Sequence, residues 1–82
     1  ELWKVLNRMA IMKSYMIAED ARQVVDAWFD NERPKIEFGN ARSARRLLDE
    51  MVAKHARRIH QMEKISEDDL VLLLPEDVTD AE

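Results

Sequence analysis

Residues 37–50 read EFGNARSARRLLDE, and this stretch decides how the chain is divided. Gly39 is the only glycine in 82 residues. Glycine enters backbone conformations that a Cβ resists, so a turn is expected there. Asn40 can accept a hydrogen bond from an early N–H and so cap a helix. Beyond it Ala44, Leu47, Leu48, Met51, Val52, His55, Ile59 and Met62 recur at helical spacing, which predicts a helix from about Ala41 to about Met62. At about six turns it is the spine of so small a domain. Its first turns carry Arg42, Arg45 and Arg46. The unpaired N–H groups of a helix start form a positive pole that disfavours each base by roughly 0.3–1 kcal/mol. Three arginines at that place call for an anion.

Upstream, ELWKVLNRMAIMKS places Leu2, Val5, Leu6, Met9 and Met12 on one helical face that Trp3 widens. YMIA is a short connection in which Tyr15 and Ile17 plug the core. EDARQVVDAWFDNERP sets Ala21, Val24, Val25, Trp28 and Phe29 at i, i+3, i+4, i+7 and i+8. Glu19 and Asp20 stand in its first turn, where the dipole favours them. Pro34 ends this second helix by about Arg33. Leu6, Met9, Trp28, Leu48, Val52 and Ile59 are expected among the most buried residues. Downstream, Ser66 and Asp69 have capping-box spacing and open a short helix at EDDL. VLLL is strand-like but too short to classify by period, and Pro75 starts a last turn at a first helical position. TDAE is expected to fray.

The bulk numbers narrow the class. The chain is one domain, residues 1–82, and buries only about 60% of its unfolded surface. Without cysteine, disulfides and thiolate metal sites are excluded, which fits an intracellular, cytoplasmic setting. The longest apolar run, Leu70 to Leu74, is far short of the roughly 20 residues a membrane span needs. The net charge of −4 argues against nucleic acid as main partner. Bases concentrate at Arg42, Arg45, Arg46, Lys54, Arg57 and Arg58, and acids from Glu63 onward. Starting at Glu1 without methionine or a preceding cap, the chain reads as a piece of something longer.

Catalytic signals are missing. There is no HExxH, nucleophile elbow or Walker A loop, and one glycine cannot build a phosphate-cradling loop. His55 and His60 do not share a helical face, and His55 on the apolar stripe reads as a satisfied core histidine rather than a metal ligand. No catalytic residue and no metal site is assigned. The domain is expected to act by binding and to catalyse nothing alone.

The segment FGNARSARRLLDEMVAKHARRI resembles the C-terminal lid of AAA+ ATPases of the CbxX/CfqX type, a group with red-type rubisco activases, type VII secretion ATPases and a stage V sporulation protein. LWKVLNRMAIMKSYMIAEDARQVVDAWF and SEDDLVLLLPEDV resemble the flanking parts of such lids. FGNAR is the specific part. Ser14 stands where these lids usually carry glycine or asparagine, and Ala18 where they usually carry a capping Ser, Thr or Asp. The resemblance implies an all-α fold, a small four-helix bundle with a short strand-like segment near the C-terminus. It implies that Arg42 is sensor 2, the arginine that reaches the nucleotide phosphates, supported by the turn and cap at Gly39 and Asn40. Arg45 and Arg46, with Asp49 and Glu50 in helical reach, are solvent or subunit-interface residues. The implied ligand is ATP, with Mg held by a large domain outside this sequence. The implied partners are the AAA+ large domain of the same chain and neighbouring subunits of a ring, expected to be a hexamer, with no membrane. Two other readings are a free-standing helical interaction module, suggested by Met9, Met12, Met16, Met51 and Met62, and a three-helix DNA-binding domain.

Overall fold

The computed structural model describes residues 2–32 and 40–78, of Asn40 the backbone only. Four helices and a two-stranded parallel sheet follow in order. Helix α1 spans Leu2–Met12, strand β1 Met16–Ile17, and a 3-10 turn Glu19–Ala21 leads into α2, Arg22–Glu32. Helix α3 spans Asn40–His60, α4 Glu67–Val71, and β2 Leu72–Leu73, and a 3-10 turn Pro75–Asp77 closes the order. The chain is mostly helical, as its periodicities predict.

The α1 terminus shows how a short sequence signal is read out. The Ser14 N–H donates to the Ile11 carbonyl at 2.9 Å and the Tyr15 N–H to the Ala10 carbonyl at 2.8 Å. This pair of bonds is a Schellman cap, which needs its turning residue in the left-handed region. Ser14 takes that place with φ 69°. The conformation costs a residue with a Cβ roughly 1–2 kcal/mol, which explains why glycine or asparagine suits the position better. Ala18 opens the first 3-10 turn without a side-chain cap, as its methyl group dictates.

The cap aims β1 at β2. Met16 pairs with Leu72 and Ile17 with Leu73, and the Ala18 N–H continues the ladder to the Leu73 carbonyl at 2.8 Å. The strand-like reading of VLLL is thus met by Leu72–Leu73, and its partner is the YMIA connection. Ile17 and Leu73 turn inward and Met16 outward.

The core sits between α1, α2 and α3 and under β2. Its centre is Leu6, Ala10, Ala21, Val25, Phe29, Ala44, Leu47, Leu48, Met51, Leu73 and Val78. Leu6 and Leu48 are buried as expected, whereas Met9, Trp28 and Val52 are partly buried and only flank that centre, and Ile59 is also only partly buried. The reason is angular. A helical apolar stripe is wider than the seam that meets its neighbours, so Val25 and Phe29 take the centre line of α2 and Trp28 its edge. Met12, at the end of α1, is 79% exposed. Helix α3 ends at His60, so Met62 lies beyond it. The predicted end of α2 near Pro34 and the turn at Gly39 lie outside the described residues, although α2 runs to Glu32.

Candidate functional site

The site builds up from the start of α3. Asn40 is its first residue, one position earlier than expected, and its side chain is outside the described set, as is Gly39. The capping role of Asn40 therefore lies outside what the structure describes. The first turn of α3 contains no acid. Ser43 and Ala44 face inward and are buried, which turns Ala41, Arg42, Arg45 and Arg46 outward. Arg42 and Arg45 form no ion pair among the described residues. Acids one turn on do not neutralise them: Asp49 instead meets Lys13 of the α1 terminus at 3.7 Å.

Arg46 is different. Its guanidinium pairs with the Glu32 carboxylate, Nη2 to Oε1, and covers the Trp28 ring at 5.3 Å from the centroid. Its partner is on α2 rather than Glu50 in its own helix. Glu32 is a residue the sequence reading missed. It continues the α2 stripe, seven after Val25 and three after Phe29, and a carboxylate in that register signals a buried acid needing a cation. A similar contact occurs one helix earlier, where Arg22 covers Trp3 at 5.5 Å.

The far end of α3 is closed by its own chain. Arg58 donates through Nε to Asp77 Oδ1 at 3.2 Å and through Nη2 to Oδ2 at 2.9 Å, and also to the Leu72 carbonyl at 3.1 Å. Asp77 Oδ2 also accepts from the Leu74 N–H at 2.9 Å. The hydrogen bond to Asp77 holds the Arg58 guanidinium above its ordinary pKa, against an opposing push from burial. Lys54 reaches the Val78 carbonyl at 3.5 Å. His55 is buried, donates from Nε2 to the Asp69 carbonyl at 2.8 Å, and meets Tyr15 edge-on with centroids 5.5 Å apart. A carbonyl only accepts, so Nε2 carries the proton. This is the satisfied core histidine the stripe suggested. Below it the capping box is complete: Asp69 N–H to Ser66 Oγ at 3.1 Å and Ser66 N–H to Asp69 Oδ2 at 3.0 Å. The Ser66 N–H, then its hydroxyl, hold the Asp69 carboxyl below its ordinary pKa.

Among the described residues no three His, Cys, Asp or Glu side chains converge as metal ligands, and no helix is long and apolar enough to cross a membrane. Of the five methionines, Met51 is buried, Met9 and Met62 are partly buried, and Met12 and Met16 are exposed.

The described residues form a small helical bundle built around one long helix, whose far end its own chain closes. The chain belongs to the AAA lid domain family, whose model matches residues 1–82, and is thus a helical lid domain of an AAA+ ATPase. No curated protein matches the sequence.

Proposed function

We propose that this lid binds the phosphates of ATP through Arg42, acting as sensor 2, and transmits nucleotide state within a ring of CbxX/CfqX-type ATPase subunits in the cytoplasm. A single observation carries the reading. Arg42 stands exposed in the first turn of a 21-residue helix that has no acid there and offers it no ion pair among the described residues. The helix start contributes N–H groups and a positive pole, which suit an anion. A guanidinium beside it adds charge-assisted hydrogen bonds to phosphate oxygens. These donors fit a phosphate and not a metal, so Mg belongs with the partner domain. Bound ATP supplies the negative charge that makes arginines at a helix start favourable. This chain's part is to orient a guanidinium toward it on a rigid helix. Arg45, exposed one turn on, faces the same side and fits a contact with a neighbouring subunit.

The test is Arg42→Ala in the full-length ATPase carrying this lid. Loss of one preorganised charged donor is expected to lower ATP hydrolysis by about 10²–10³-fold, with the melting temperature of the lid unchanged. Unchanged hydrolysis with a lowered melting temperature would make Arg42 a structural residue and end the sensor reading. A salt titration against duplex DNA separates the third-helix DNA reader: binding at low salt with a steep salt slope would favour that reading.

A further inference from the structure

We propose that Glu32, Arg46 and Trp28 form a positioning device for Arg42: the Glu32 carboxylate and the Trp28 ring hold Arg46 off the nucleotide and pin the second turn of α3 to the end of α2, which sets where Arg42 points. The inference rests on the sensor reading above and assigns a role to residues that do not touch the ligand in it.

Glu32 is the anchor of the device. It stands in the last described turn of α2, and its side chain is only 9% exposed. A buried carboxylate is unfavourable without compensating charge or hydrogen bonds. Arg46 meets it. The guanidinium is also held on its face by Trp28 at 5.3 Å, a contact that Arg makes well because it is planar and weakly hydrated. Arg46 is therefore committed at one edge and one face, although its side chain is 52% exposed.

The consequence for Arg42 follows from helical spacing. Arg42 and Arg46 are i and i+4 on α3, neighbours on one face, and like charges so placed repel. Glu32 neutralises Arg46 and removes that repulsion. The pair also joins the last described turn of α2 to the second turn of α3, across a separation of 14 residues. A turn or slide of α3 relative to α2 would carry Arg42 away from a bound phosphate. The Glu32–Arg46 bond resists both motions. Arg46 is thus a positioning residue rather than an anion ligand.

The test is a double-mutant cycle in the full-length ATPase with MgATP as the probe. Arg46→Ala and Glu32→Gln should each raise the KM for ATP by about tenfold, inside the roughly 2- to 150-fold span of couplings between neighbouring residues. Arg46→Lys keeps the charge but not the planar stack and should recover part of the loss. In an Arg42→Ala background, Arg46→Ala should add nothing, because it acts only through Arg42. Additive losses would mean that Arg46 meets the nucleotide itself and would overturn the proposal. A silent Arg46→Ala beside a damaging Arg42→Ala would overturn it while leaving the sensor reading intact. A silent Arg42→Ala would end both. If Arg46→Ala does not fold, Glu32→Gln and Arg46→Lys, which keep side-chain volume, carry the same cycle.

Discussion

The two ends of α3 carry similar residues and treat them in opposite ways. At the last turns Arg58 is spent within the chain, gripping both oxygens of Asp77 and the Leu72 carbonyl. Bases there, Arg57, Arg58 and His60, also agree with the negative pole of the helix. At the first turns Arg42 and Arg45 face solvent against the dipole, and only Arg46 is held, by Glu32. On the proposed sensor reading, the difference separates a folding role from a binding one. A base that obeys the helix dipole and finds an internal acid contributes to stability. A base that violates the dipole and stands exposed is the kind we propose to meet phosphate.

That contrast can be broken most sharply at Asp77. Its side chain is 1% exposed, and removing one member of a buried pair leaves the other charge uncompensated. Asp77→Ala is expected to cost about 3–5 kcal/mol in urea titration, and a loss under about 1 kcal/mol would show that the closed end of α3 is not held by this clamp. The comparison also requires both ends to belong to one rigid helix, anchored between them by Leu48 at 1% exposure. Leu48→Ala should cost about 2–5 kcal/mol, and it should do so whatever the state of either end.

A smaller effect is expected at the capping box beneath the closed end. Ser66→Ala should cost about 1 kcal/mol. Asp69 adds a pH signature. Its folded pKa is depressed below the ordinary 3.8, so its contribution is present above that value and is lost as pH falls through the folded pKa. The difference in melting temperature between the parent chain and Asp69→Asn should therefore be constant near neutral pH and shrink as pH drops below about 4. A constant difference down to strong acid would contradict the capping bond. The smallest effect belongs to the open end. Arg42→Ala should change lid stability by no more than about 0.5 kcal/mol in either direction, and a larger loss would make the two ends alike.

Much of the fold was legible locally. Three stripes at period 3.6 placed α1, α2 and α3, and the Ser66 and Asp69 spacing placed the start of α4. Ser14, where the resemblance to such lids expects glycine or asparagine, adopts φ 69°. What local spacing missed was which flank of each stripe meets a neighbour, hence Trp28 and Ile59 at the margin rather than the centre. It also paired Arg46 with its own helix, since an acid one turn away is the only partner that periodicity can offer.

The sequence by itself determined the helices, the Ser66–Asp69 cap and the unusual arginines at the start of α3, because each depends on contacts within about one helical turn. Only the tertiary structure decided which of those arginines is held and which stands exposed. The Glu32–Arg46 pair spans 14 residues, the Arg58–Asp77 clamp spans 19, and the β1–β2 register joins opposite ends of the chain. Such pairings follow from how the helices pack, and a carboxylate or carbonyl becomes a partner only once burial has removed water as the alternative.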